Sequence, residues 1–180
     1  MNRHPGGEAR TRQLLEKAGF DSGARILDMG AGDGSAVRFM REQGLRAEGI
    51  DLCPQGPWVE KGDFLRTGFP AEAFDGILSQ CSFYVSGDVE AAFKESVRLL
   101  KTGGKLLFSD VWFSGEDELR KILDKNGLCL LFLEDETSAW KEYYIEAIWN
   151  GTMEAAPAGA GKCRYYSLTA VKQSGQEMLV

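Results

Sequence analysis

Three glycines at two-residue spacing follow an acidic residue near the start of the chain. Asp28 is followed by Gly30, Gly32 and Gly34, and a short apolar run precedes it. The apolar run is typical of a buried strand. Glycine lacks a Cβ and accepts positive φ, so a ligand can lie directly against the main chain there. Because free N–H groups at the start of the following helix would face that ligand, the pattern predicts a binding loop.

A second acid, Asp51, ends another apolar run about twenty residues after the glycine loop. A carboxylate at this place can accept hydrogen bonds from ribose hydroxyls, so the loop and Asp51 together predict a nucleoside-binding half-site. A nicotinamide-dependent oxidoreductase is the principal alternative. Its Gly-x-Gly-x-x-Gly fingerprint would require glycine at position 35, where this chain has Ser35.

Strands and helices alternate along the chain, which predicts a doubly wound α/β sheet with these residues at one end of it. The last strand alternates in a way that fits an edge or antiparallel position, so we expect seven strands, mostly parallel, with the last one antiparallel. We predict strands at 25–28, 46–50, 58–62, 74–79, 105–111, 128–133 and 165–171, and helices at 8–19, 34–43, 89–101 and 116–125.

The chain is interpreted as a single domain over 1–180, with an N-terminal helix within 1–20 and an insert at 134–163. Asp88 is the expected N-cap of the helix at 89–101, and the glycines at 103 and 104 are expected to stop it. The insert is too long for a hairpin and contains a helix-like stretch at 138–149. Its aromatic residues Trp140 and Tyr144 indicate either simple packing on the sheet or part of an acceptor pocket.

Composition limits the classes of partner. The chain has 180 residues, 43% hydrophobic and 27% charged, with a formal net charge of −6. An acidic surface disfavours nucleic acid as a partner. No apolar run approaches the roughly 20 residues of a membrane span, and no signal peptide is recognised, so we expect a soluble, cytoplasmic protein. The four cysteines are scattered and there is one histidine, so no metal site is predicted.

Three segments in order resemble the class I S-adenosylmethionine-dependent methyltransferases, of the small-molecule, methyltransferase type 11-like kind. They are the glycine loop at 27–34, the segment 69–79 that enters the fourth strand, and the turn and strand at 99–108. The resemblance implies a Rossmann-like fold, S-adenosyl-L-methionine as the cofactor and a small-molecule acceptor. The residues after strand four, 79–82, are Ser-Gln-Cys-Ser and lack the Asn/Asp-Pro-Pro-Tyr pattern of enzymes that methylate DNA bases or glutamine amides.

The resemblance also implies roles for individual residues. The glycines would approach the methionyl part, Asp28 would orient the loop and the ammonium group, and Asp51 would hold the ribose hydroxyls. Gln80 and Cys81 would face the methionine moiety and the methyl group. The full set of implied cofactor-binding residues is Asp28, Gly30, Gly32, Gly34, Asp51, Leu52, Asp63, Phe64 and Gln80.

A sulfonium methyl group is already an activated electrophile, so transfer requires mainly positioning and exclusion of water. A general base is needed only if the acceptor must lose a proton. The candidates are Asp110, Tyr143 and Tyr144, although Asp110 at a strand end can equally bond backbone in a turn. A non-catalytic member that binds the cofactor is a further alternative. The sequence leaves the acceptor and the oligomeric state open.

Overall fold

The computed structural model describes residues 6–151 and 163–174. Within these ranges the strands form a single seven-stranded sheet in the order β3-β2-β1-β4-β5-β7-β6. The strands are β1 (Arg25–Met29), β2 (Arg46–Asp51), β3 (Val59–Lys61), β4 (Phe74–Gln80), β5 (Leu100–Trp112), β6 (Leu128–Asp135) and β7 (Arg164–Lys172). The helices are α1 (Gly7–Ala18), α2 (Ser35–Glu42), α3 (Val89–Leu99), α4 (Glu116–Lys125) and α5 (Thr137–Trp149).

The expected sheet is confirmed, and of the two positions left open for the last strand, edge or antiparallel, the antiparallel one is found. Strands β1 to β5 pair in parallel, and β7 runs antiparallel to both β5 and β6. Strand β7 is therefore antiparallel as predicted, but it lies inside the sheet and β6 forms the edge. The burial pattern agrees, because residues 165–170 are all buried. Polar and apolar residues alternate along β7 because one covered face of the strand is more polar than the other. The alternation therefore did not mark an edge strand.

Helices cover both faces of the sheet. Neighbouring residues of a strand point to opposite faces, so they belong to different core clusters. Ile77 and Leu106 belong to the core cluster that includes α3 and α4. Leu78 and Leu107 belong to the cluster that includes α1 and α2. The chain passes from β1 outward to β2 and β3 and then returns to β4 beside β1. This reversal leaves a crevice at the carboxyl ends of β1 and β4, where open α/β sheets bind their ligands.

The helix predicted at 89–101 ends two residues early, at Leu99. Leu100 is extended, with φ −69° and ψ 135°, and is fully buried as a partner of Phe74 in the sheet. Pairing and burial of Leu100 therefore override the helical periodicity, and the strand begins before the glycines. Asp88 is the N-cap as predicted, since its side chain accepts a hydrogen bond from the Ala91 N–H.

The insert begins later than position 134, since β6 extends to Asp135 and α5 starts at Thr137. The predicted helix at 138–149 is confirmed, and the part of the insert at 152–162 lies outside the described residues. In the described ranges, every helix is too short or too polar to cross a membrane.

Candidate functional site

A cavity of about 390 Å³ lies at the carboxyl ends of β1, β2 and β4. All of the predicted cofactor residues except Gly34 line it. The lining residues are Asp28, Gly30, Ala31, Gly32, Asp33, Ser35, Ala36, Asp51, Leu52, Asp63, Phe64, Leu65, Gln80, Cys81, Ser82, Val85 and Ser86.

The glycines of the loop are required for different reasons. Gly30 has φ +87°, and a Cβ there would lie 2.1 Å from the Ser82 Oγ. Gly34 also has positive φ, and its Cβ would approach a Val59 methyl group at 3.0 Å. A Cβ on Gly32 would meet nothing within 4 Å, although this residue lines the cavity. Gly30 and Gly34 therefore permit close packing of the loop. The absence of a side chain at Gly32 leaves the main chain of the loop open towards the cavity.

Asp51 ties the glycine loop to the end of β2. Its Oδ2 accepts a hydrogen bond from the Gly32 N–H at 2.9 Å, and its Oδ1 accepts one from the Cys53 N–H at 2.8 Å. A carboxylate oxygen has two lone pairs, so each oxygen retains capacity for one more donor. The residue can therefore hold the loop and bind ligand hydroxyls at the same time.

Asp28 is the most buried carboxylate of the cavity, with 4% of its surface exposed. Burial, together with the nearby negative charges of Asp51 and Asp33, raises its pKa to about 7. Among the described residues, no hydrogen-bond donor compensates this carboxylate. A buried carboxylate with a raised pKa and no donor among the described residues is a candidate site for a cationic ligand group.

The electrostatic character of the whole lining is negative. Four carboxylates contribute to it, from Asp28, Asp33, Asp51 and Asp63. No Lys, Arg or His is present among the described residues of the lining. The cavity therefore favours a ligand with positive charge and disfavours one with a phosphate chain.

The end of β4 contributes Gln80, Cys81 and Ser82 to the cavity. Cys81 has φ +56°, which is uncommon for a residue with a side chain. Its Sγ lies 3.2 Å from the Tyr165 hydroxyl, and burial raises its pKa to about 12. The thiol is therefore protonated near neutral pH and is not an activated nucleophile.

The three base candidates lie outside the cavity lining. The buried Asp110 accepts hydrogen bonds from the N–H groups of Tyr84 at 3.0 Å and Val111 at 2.7 Å. Burial raises its pKa to about 6 despite these bonds. This arrangement favours the structural alternative, in which Asp110 holds the turn after β4. Tyr143 and Tyr144 are on α5, and burial raises the pKa of Tyr144 to about 12.

The aromatic residues of the insert pack behind the cavity. Trp140 is 2% exposed and stacks on Tyr165, with ring centroids 6.1 Å apart. Tyr144 contacts the Trp140 ring edge at a centroid distance of 5.1 Å. Neither lines the cavity. This placement favours packing over the acceptor-pocket interpretation.

Several residues that line the cavity were not predicted from the sequence. Asp33 and Ser35 belong to the glycine loop and carried a usable signal, since they alternate with the glycines. Val85 and Ser86 come from a single 3-10 turn, Tyr84–Ser86, that folds back over the cavity. Thr11 of α1 also reaches the site, because its hydroxyl donates to the Gln80 Oε1 at 2.9 Å. No local pattern predicts a contact between residues 69 positions apart.

The fold and the site together define an α/β domain with a glycine loop, a carboxylate at the end of β2 and an antiparallel seventh strand. A family model described as a methyltransferase domain matches residues 4–177. The chain belongs to this methyltransferase domain family.

Curated relatives agree with the family. The glycine/sarcosine/dimethylglycine N-methyltransferase of Actinopolyspora halophila is 32% identical over 141 residues, covering 66% of this chain and 24% of the relative. Phosphoethanolamine N-methyltransferase 1 of Zea mays is 31% identical over 120 residues, covering 58% of this chain and 24% of the relative. The chain thus spans about a quarter of the length of these two relatives.

Solved structures share the fold. The phosphoethanolamine N-methyltransferase 2 of Haemonchus contortus, in complex with phosphomonomethylethanolamine and S-adenosylhomocysteine, superimposes with a TM-score of 0.78 at 19% identity. The match covers 95% of this chain and 54% of that chain. At this identity the likeness concerns the fold.

Proposed function

We propose that this protein binds S-adenosyl-L-methionine and transfers its methyl group to a small-molecule acceptor. The observation that carries the proposal is the cavity lined by a bare glycine loop and four carboxylates, without a basic side chain among its described residues. S-adenosylmethionine has a sulfonium and an ammonium cation against one carboxylate, so its net charge is positive. The pyrophosphate of a nicotinamide dinucleotide would meet these carboxylates with like charge, which argues against the oxidoreductase alternative.

The residues present fit this cofactor. Asp28 offers a carboxylate that has no hydrogen-bond donor among the described residues to a cationic group, and Asp51 has lone pairs left for the ribose hydroxyls. Gly32 leaves open space where a side chain would otherwise stand. When bound, the cofactor supplies an activated methyl group on a sulfonium centre. The protein then contributes orientation and exclusion of water.

Small amines are the first acceptors to test. The two curated relatives are named for N-methylation of glycine derivatives and of phosphoethanolamine. An amine that arrives unprotonated needs no general base, and the base candidates Asp110, Tyr143 and Tyr144 lie outside the cavity lining. That the protein is a single, cytoplasmic domain that does not bind nucleic acid stays a prediction from the sequence.

Calorimetry with S-adenosylhomocysteine and with NADH tests the cofactor. We expect micromolar binding of S-adenosylhomocysteine and no detectable heat with NADH, and the opposite preference would refute the proposal.

Transfer of a labelled methyl group to a panel of glycine, ethanolamine and phosphoethanolamine derivatives, followed by a wider metabolite pool, tests the reaction. Tight binding without transfer to any acceptor would favour the non-catalytic alternative.

A further inference from the structure

The proposed cofactor carries a carboxylate that the negative cavity must also accommodate. Four side-chain carboxylates line the cavity, and its described lining contains no cationic side chain. Gln80 is the one side chain of this lining with an amide N–H group to donate. Hydroxyl groups of serine and backbone N–H groups are the other donors available there. The methionyl carboxylate therefore has few partners, and Gln80 is the strongest candidate.

The Gln80 amide is held in one orientation by helix α1. The Thr11 hydroxyl donates to the Gln80 Oε1 at 2.9 Å, and Thr11 is 1% exposed. Because the oxygen of the amide is engaged by this donor, the nitrogen is left for another partner. The Gln80 Nε2 is buried and has no partner among the described residues. A buried donor without an acceptor is costly, and a ligand oxygen would remove that cost.

Thr11 is itself fixed by its neighbours on α1. Arg10 forms a buried ion pair with Glu136, at the junction of β6 and α5. The Gln13 Nε2 donates to the Glu134 carboxylate at 3.2 Å, and Leu14 is fully buried in the core. The Thr11 hydroxyl is therefore held at a defined position above the end of β4.

We propose that Thr11 is a positioning residue that orients the Gln80 amide so that its Nε2 donates to the methionyl carboxylate of the cofactor. The inference rests on the proposed function and deepens it, because it assigns one of the cofactor's groups to one side chain. Helix α1 then contributes to cofactor affinity without touching the cofactor.

The test compares two ligands by calorimetry: S-adenosylhomocysteine and its decarboxylated form, which keeps the amine, the thioether and the adenosine. We expect Gln80→Leu to weaken binding of S-adenosylhomocysteine about tenfold and Thr11→Val about threefold. Neither change should alter affinity for the decarboxylated ligand. Thr11→Ser keeps the hydroxyl and should match the unchanged protein. Thr102→Val, at an exposed threonine of β5, is the matched control and should have no effect.

A double variant separates positioning from a general structural effect. If Thr11 acts through Gln80, Thr11→Val should cause no further loss in the Gln80→Leu protein. Equal weakening of both ligands by Thr11→Val, or additive losses in the double variant, would overturn the inference while the proposed function stands. Failure of the unchanged protein to bind S-adenosylhomocysteine would overturn the proposed function and this inference together. If Thr11→Val unfolds, the Gln80→Leu comparison of the two ligands decides the assignment to the carboxylate, and Thr11→Ala serves in the double variant.

Discussion

At the scale of single residues, Asp28 shows how a binding group can oppose the stability of the fold. Its pKa in the folded protein is raised to about 7, chiefly by burial, from an ordinary value of 3.8. The folded state therefore binds the proton more tightly than the unfolded state does. The contribution of Asp28 to stability is therefore fully present below about pH 4 and is lost as the pH rises through about 7.

Asp28→Asn should separate stability from binding. We expect the variant to be more stable than the unchanged protein at pH 8, by on the order of a few kcal/mol, and equal to it near pH 4. Its affinity for S-adenosylhomocysteine should fall about tenfold, because a charged partner is lost. Urea unfolding at the two pH values and calorimetry measure these effects. A variant that is less stable at pH 8 would show that the carboxylate has a stabilising partner.

Gly32 and Gly19 form a matched pair for testing the bare loop. Both have positive φ, +52° and +60°, and a Cβ on either would meet nothing within 4 Å. We expect Gly32→Ala and Gly19→Ala to destabilise the protein by a similar amount, about 1 kcal/mol, because alanine resists this conformation. Only Gly32 lines the cavity, so only Gly32→Ala should weaken binding of S-adenosylhomocysteine, by about tenfold or more.

Thermal unfolding and calorimetry of both glycine variants provide the readouts. Unchanged affinity in Gly32→Ala would mean that the ligand does not lie against this part of the main chain. A loss of affinity in Gly19→Ala as well would attribute the effect to the fold, since Gly19 caps the far end of α1.

At the scale of elements, α1 is fastened to the sheet by charge as well as by packing. Arg10 pairs with Glu136, whose carboxylate also accepts a hydrogen bond from Ser167. Ser167 in turn bonds Ser109 of β5 at 2.8 Å between their hydroxyl oxygens. Both charged side chains are largely buried, at 14% and 6% exposure. Removal of Arg10 would leave the buried Glu136 carboxylate without its cationic partner.

Arg10→Met should therefore destabilise the protein by about 3–5 kcal/mol. Arg10→Met combined with Glu136→Leu should recover much of that loss, because the unpaired carboxylate is then absent. Arg120→Met is the control, since Arg120 and Glu116 form an exposed pair on α4 and should contribute less than about 1 kcal/mol. Urea unfolding of the four proteins measures the differences. A double variant as unstable as Arg10→Met would show that packing of the arginine stem matters more than its charge.

Elements with their own local signals were predictable from the sequence. Asp88 as an N-cap and the apolar periodicity that follows it located the start of α3, and the glycine loop located the turn between β1 and α2. The predicted end of α3 was wrong because Leu100 pairs in the sheet with Phe74, which is distant in sequence. The contact between Thr11 and Gln80 was inaccessible for the same reason. Local chemistry thus predicted which elements form, while long-range pairing decided where α3 ends and which residue contacts Gln80.

At the scale of the whole molecule, charge is distributed so that the cavity and the net charge have the same sign. The formal net charge is −6, and four carboxylates line the cavity. A cationic ligand is attracted both by the cavity and by the field of the whole protein. S-adenosylmethionine carries one positive charge more than S-adenosylhomocysteine, because the thioether of the latter is neutral. The same electrostatics therefore favours the methyl donor over its product.

This difference predicts how the two ligands respond to salt. When ionic strength is raised from roughly 0.02 M to 0.5 M, the Debye length shortens from about 20 Å to about 4 Å, so the field beyond the cavity is screened. We expect affinity for S-adenosylmethionine to fall roughly threefold, while affinity for S-adenosylhomocysteine changes less. Calorimetry across a salt series with both ligands measures the two slopes. The two ligands differ only in the methyl group and the positive charge that it places on sulfur. Equal slopes would therefore mean that the cavity carboxylates are neutralised before the ligand arrives.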